Sequence, residues 1–385
     1  MRVAFISLMR AFPWGGSEEL WFRAAKLAMA NGHTVCTLTQ RWQEVPTKIT
    51  ELEQLGAEVY FYEAARHSLA ARVAVKLSLK PDVADIIPEV KADVYVLSNG
   101  STWDFIYNHP LTNRLIGWDK PYVLISQHNF ENGHTVKDTW RAYALKFIKG
   151  AENVFFVSAR NLQVAERQLG YAIEKAQVIS NPVIIKSRSI KPFPASPRLL
   201  MACVARLDCD FKGQDILLQV LSTAQWRERD FYLKLYGSGP HRAHLQQLIT
   251  LYKLEGKVSL EGQVSDIDHI WETNHVLVLP SLSEGTPLAL IEAMLSGRAA
   301  VTTDVGGNSE YVRDGETGFL AATASVSCLT ASLESLWDNR HKLQTMGETA
   351  FKHAAAITDF CPEKTLFKYI QQADTSLATT KAVKE

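Results

Sequence analysis

Glu284 and Glu292 bracket a segment, EGTPLALIE, that holds no other charged side chain. Thr286 stands where a helix N-cap belongs, Pro287 takes the first helical position, and Leu288 to Leu295 is apolar apart from Glu292. At about 1.5 Å rise per residue, Glu292 lies roughly 9 Å along the axis from that cap. The free amide groups that open such a helix, at its positive dipole end, form an anion site between the two carboxylates. A nucleotide sugar, with hydroxyls at both ends and phosphate in the middle, has that shape. The plainer alternative pairs Glu292 with a neighbouring Arg or Lys and leaves Glu284 solvated in a loop, because structural pairs also perturb carboxylates. Residues elsewhere in the chain have to decide between the two.

Arg206 and Lys212 bracket the loop RLDCDFKG at the end of a strand, where two cations can clamp a diphosphate and an arginine can do so bidentately. Gly15 and Gly16 follow the first strand and let backbone N–H groups approach a phosphate closely, although a glycine pair also makes an ordinary turn. The spacing is not GxGxxG, which counts against a dinucleotide site. Gln127, His128 and Asn129 are expected in a loop after another strand, with His128 able to move a proton or bond a sugar hydroxyl. Asn99, Gly100 and Ser101 occupy a third such loop. In Glu261-Gly262-Gln263-Val264, the backbone could border a base.

The elements around these residues alternate. Strands are expected over Arg2 to Ser7, His33 to Thr39, Ala57 to Tyr62, Asp93 to Ser98, Tyr122 to Ser126, Asn153 to Ser158 and Gln177 to Ser180, with helices between them. The first of those helices is opened by Ser17 and carries Glu18 and Glu19 in its first turn. After IIKSRSIKPFPASPR, a second series follows: Leu199 to Ala205, Phe231 to Tyr236, Lys257 to Leu260, His275 to Leu279 and Ala299 to Thr303. Strands alternating with helices make parallel, doubly wound sheets, in which ligands sit beyond the carboxyl ends of the strands. The expected division is 1–183, a linker at 184–198, a second domain at 199–355, C-terminal helices at 356–375, and a frayed tail at 376–385.

Composition narrows the field further. With 385 residues, two domains are the natural expectation. Lys plus Arg and Asp plus Glu are equal at 41 each, so no global field draws the chain to nucleic acid or to an anionic membrane. There is no apolar run of about 20 residues and no signal-peptide pattern, and the reading is a cytoplasmic protein. The helix WRAYALKFIK is basic and aromatic; it either packs normally with a solvated basic edge or rests peripherally on the cytoplasmic membrane face. Cys36, Cys203, Cys209, Cys328 and Cys361 lack a CxxC spacing and read as free thiols.

Taken together, GGSEE (Gly15 to Glu19), SNPV (Ser180 to Val183), ARLDCDFKGQD, GSGP, EGTPLALIEAMLSG and GGNSEYVRDGETGFL resemble a retaining glycosyltransferase of family 4. The similarity covers nearly the whole chain. It implies the GT-B fold, an α/β architecture of two Rossmann-like domains facing a cleft, with the donor on the second domain, the acceptor on the first and the helices at 356–375 crossing back to the first. Glu284 then inherits contact with the transferred sugar and Glu292 with the ribose. Arg206 and Lys212 inherit the diphosphate, supplemented by Gly16 and the backbone of Gly285, Thr286, Pro287 and Leu288, and His128 lies near the sugar. The implied partners are a nucleotide-sugar donor and a saccharide, lipid-linked or small-molecule acceptor. Neither a cofactor nor a metal ion is expected, the cations standing in for a metal. Two departures are present: Arg206 and Lys212 are one residue further apart than usual, and Gly-Thr-Pro replaces Gly-Phe-Pro after Glu284. The rival readings are a nucleotide-sugar epimerase of the same fold and a non-catalytic nucleotide-sugar sensor.

Overall fold

The computed structural model describes residues 1–10, 12–63, 83–107, 109–118, 120–131, 136–185 and 187–382. The chain forms two compact units, Met1–Pro182 together with Asp359–Glu385, and Val183–Thr358.

In the first unit the strands are β1 (Arg2–Ser7), β2 (Thr34–Gln40), β3 (Glu58–Tyr62), β4 (Val94–Ser101), β5 (Tyr122–His128), β6 (Asn153–Phe156) and β7 (Ala176–Val178). They pair in parallel in the order β3-β2-β1-β4-β5-β6-β7, so the winding direction reverses between β1 and β4. Apolar side chains line both faces, as a covered parallel sheet requires. One face is covered by the helix Glu19–Ala30, through Leu20, Trp21 and Phe22, and by the C-terminal helix Pro362–Ala382, through Leu366, Phe367, Ile370 and Ala373.

Several sequence expectations change here. β4 and β5 run on through the residues expected in loops: Asn99 pairs with Ser126 and Ser101 with His128, so the polar residues finish the ladder before the chain turns. The first helix starts at Glu19, not at Ser17. Glu18 closes a turn by donating its N–H to the Gly15 carbonyl at 3.0 Å, and its carboxyl is buried under Ser7 Oγ (2.5 Å) and Trp21 Nε1 (2.9 Å). Burial pushes the Glu18 carboxyl up to about 7. Finally, Pro362–Ala382 continues past Ser376, where a frayed tail was expected, because TSLATTKA contains neither Gly nor Pro to stop a helix.

The second unit contains β8 (Leu199–Val204), β9 (Phe231–Tyr236), β10 (Val258–Gly262), β11 (Val276–Leu279), β12 (Ala299–Thr303) and β13 (Gly318–Ala321), ordered β10-β9-β8-β11-β12-β13 and parallel throughout. Here the reversal falls between β8 and β11. The stretch from Ile184 to Arg198 has no helix or strand among its described residues, yet part of it is firmly held. Arg298 is fully buried and donates to the carbonyls of Lys191 (3.2 Å), Pro192 (2.5 Å), Trp271 (2.8 Å) and Asn274 (2.9 Å). Burial draws its guanidinium down to about 10, so it stays charged at neutral pH.

Candidate functional site

The two loops at the reversal point of the second sheet meet. After β8 the chain forms a one-turn helix, Cys209–Lys212, between Arg206 and the next loop. Gly213 then adopts φ +61°, where a Cβ would overlap the Pro280 carbonyl, so only glycine lets this loop lie against the end of β11. The Phe211 carbonyl accepts from Leu282 N at 2.8 Å and ties the loops together. Lys212 Nζ consequently donates to Glu284 Oε1 at 2.6 Å, and Ser281 Oγ reaches the same oxygen at 2.6 Å. Behind Glu284, Gly306 at φ +52° leaves no room for a Cβ against the Glu284 carbonyl, and Gly307 N donates to the Gly285 carbonyl at 3.0 Å. Loops after three strands of one sheet thus fix the Glu284 backbone.

The buried helix is Leu288–Leu295, one residue shorter at its start than expected. Pro287 has ψ 74° and takes the cap position in place of Thr286, and Leu288 N donates to the Thr286 carbonyl at 2.9 Å in a tight turn. Gly297 ends the segment at φ +76°. Glu292 is buried within this helix and, among the described residues, has no hydrogen-bond or ion-pair partner. The alternative in which it pairs with Arg or Lys is therefore not realised. With desolvation as the single cause, its carboxyl is pushed up to about 8.

A buried carboxyl of this kind leaves a signature in stability. In the fold Glu292 keeps its proton up to about pH 8, whereas the unfolded chain releases it near the ordinary 4.5. Between those values the fold holds the extra proton, so stability falls as pH rises. The unfolding temperature of the ligand-free protein should decline from about pH 5 to pH 8, and Glu292→Gln should flatten that decline. Glu18 adds a slope of the same sign, while His275 and His353, which burial draws down, oppose it. Parallel curves for wild type and Glu292→Gln would contradict a neutral Glu292.

The structure thus brings Lys212, Glu284 and Ser281 together. Arg206 lies on the same loop as Lys212, its Nη2 3.4 Å from Asp208 Oδ2. Gln263 and Val264 follow β10, two places from β8 in the sheet. Gly15, Gly16 and His128 belong to the first unit, at the carboxyl ends of β1 and β5, where the half-buried His128 ring stands edge-on to Phe130 with centroids 5.1 Å apart. Sequence reasoning passed over Asp208, Asp210 and His241, whose ligand atoms lie within 4.8 Å of one another and form a group, among the described residues, that could hold a metal ion. Asp208 is already paired with Arg206, and His241 Nδ1 accepts from Cys209 N at 2.9 Å. The Asp-Cys-Asp run in the loop was the available signal; His241 lies too far along the chain to show it. Among the described residues no helix is long and apolar enough to cross a membrane.

Known proteins share this arrangement in part. Over 130 residues the chain is 31% identical to an uncharacterized glycosyltransferase of Haemophilus influenzae, covering 34% of this chain and 37% of that protein. Over 298 residues it is 26% identical to the GtfA subunit of a UDP-N-acetylglucosamine–peptide N-acetylglucosaminyltransferase of Limosilactobacillus reuteri, covering 74% and 53%. The chain thus spans about half or less of the length of these curated relatives. Among solved structures, Anabaena HepE in complex with UDP superposes with a TM-score of 0.68 at 20% identity, covering 100% of both chains. Sucrose-phosphate synthase of Thermosynechococcus elongatus does so with 0.73 at 16%, covering 97% and 99%. At these identities the likeness establishes the fold, two parallel-sheet α/β domains as in GT-B glycosyltransferase structures. Residues 198–339, which contain Arg206, Lys212, Glu284 and Glu292, match the family described as glycosyl transferases group 1.

Proposed function

We propose that the protein is a retaining family 4 glycosyltransferase that moves a sugar from a nucleotide-diphosphate sugar to an acceptor hydroxyl in glycan, cell-surface polysaccharide or glycolipid synthesis, on the cytoplasmic side of the membrane. The observation that carries this reading is the placement of Lys212 against Glu284 at the reversal point of the second sheet, with a buried Glu292, unpartnered among the described residues, in the helix that follows. Arg206 and Lys212 take the diphosphate, Glu284 the transferred sugar and Glu292 the ribose. As a neutral acid Glu292 both donates to and accepts from a hydroxyl. Gly15, Gly16 and His128, on the first unit, keep the roles the resemblance implies, the two glycines toward the donor phosphates and His128 toward the sugar.

In the reaction the acceptor oxygen forms its bond to the anomeric carbon on the face from which the nucleotide diphosphate leaves. The glycosidic bond to phosphate breaks, and the acceptor proton passes to the departing phosphate oxygen. Negative charge gathers on that phosphate, where fixed cations and the amides at the start of Leu288–Leu295 stabilise it. The charge is met by side chains, so turnover needs no divalent ion. The UDP and UDP-glucose complexes of the Anabaena neighbour support a UDP-sugar as the first donor to try. The test is a calorimetric screen of nucleotide sugars followed by acceptor trials with the tightest binder, in the presence of EDTA. Transfer with retained anomeric configuration supports the proposal; donor conversion without an acceptor indicates an epimerase, and binding without turnover indicates a sensor.

A further inference from the structure

The loop that carries Arg206 and Lys212 is held from behind by the loop after β9. His241 N donates to the Leu207 carbonyl at 3.0 Å, Leu207 N donates to the Ser238 carbonyl at 3.0 Å, and His241 Nδ1 accepts from Cys209 N at 2.9 Å. Gly239 lies so near that a Cβ would overlap the Leu207 carbonyl. Asp208 is buried between these groups, with one carboxylate oxygen 3.4 Å from Arg206 Nη2 and the other 3.7 Å from His241 Nδ1. Because Nδ1 accepts a backbone N–H, the proton of the neutral ring sits on Nε2. Asp208 therefore gains no hydrogen bond from the imidazole, and its charge is left to Arg206.

We propose that His241 is a positioning residue for the diphosphate clamp: by fixing the backbone at Leu207 and Cys209 it sets Asp208, and Asp208 aims the Arg206 guanidinium. The inference rests on the donor reading above. It makes a claim that a purely structural contact would not, namely that an acceptor atom at the Nδ1 position governs diphosphate affinity rather than only stability.

Calorimetry on the full chain with UDP, ADP and GDP identifies the diphosphate that the wild type binds best, and that one serves as the probe. His241→Ala should weaken it about tenfold, the scale of one hydrogen bond to a charge-bearing loop. His241→Asn places a side-chain oxygen where Nδ1 was and should stay within about threefold of wild type. His241→Gln, whose polar atoms reach only the Nε2 position, should bind as weakly as the alanine variant. Should His241→Ala fail to fold, the Asn-against-Gln comparison carries the test. Wild-type affinity in the Ala or Gln variant, or a loss that Asn does not restore, overturns the inference. A wild type that binds none of the three diphosphates removes the donor reading, and this inference with it.

Discussion

Lys212→Ala should lower turnover by roughly 10²-fold or more at saturating donor, the cost of removing a preorganised group aimed at developing charge. In the ligand-free protein Lys212 Nζ is held 2.6 Å from Glu284 Oε1, so the ammonium is already fixed beside the transferred sugar's proposed place. Its loss acts twice, since the leaving phosphate loses its counter-charge and the buried Glu284 carboxylate loses the ammonium that donates to its Oε1. Lys212→Arg should not rescue the loss, because a planar fork cannot occupy a point filled by a compact ammonium. Arg206→Ala should fall in the same range, since the guanidinium supplies the second positive charge. Steady-state turnover settles this when melting temperatures show the variants folded, and near-wild-type turnover in both alanine variants would remove the clamp.

The second large effect is on stability. Arg298→Leu should destabilise the second unit by about 3–5 kcal/mol, the range for breaking a buried charged network. The carbonyls of Lys191, Pro192, Trp271 and Asn274 would lose their common donor inside the protein, and leucine offers nothing in return. At about 2–4 °C per kcal/mol for a unit of this size, its unfolding transition should fall by roughly 10 °C or more. Scanning calorimetry that resolves the two units reads this directly, and a shift of under about 2 °C would mean the guanidinium is not the pin it is taken to be.

Much of this was legible in the residues. Short β-branched runs marked the strands, and the apolar octet after Pro287 marked the helix that presents Glu292. Gly297 marked its left-handed end, because only one residue type sits comfortably at φ +76°. The errors have local causes. Thr286 precedes a proline, and with Leu288 N closing a tight turn on the Thr286 carbonyl the cap position moves on to Pro287. Polar residues at the ends of β4 and β5 read as loops, although their backbone groups still had ladder partners. The role of Arg298 could not be read, and of the Asp208–His241 arrangement only the Asp-Cys-Asp run showed. Each depends on which strand lies beside which, and β8 and β9 become neighbours only when the sheet forms.

The C-terminal helix gives the first unit an unusual history. The polypeptide leaves that unit once, builds the whole of residues 183–358, and only then returns. On a ribosome the nascent sheet therefore waits, with the face containing Trp21, Phe22 and Phe155 lacking Leu366, Phe367 and Ile370 until residues 183–358 have been made. The later-made unit is thus complete before that apolar face is covered, and exposed apolar surface of this kind is what makes a nascent chain prone to aggregate.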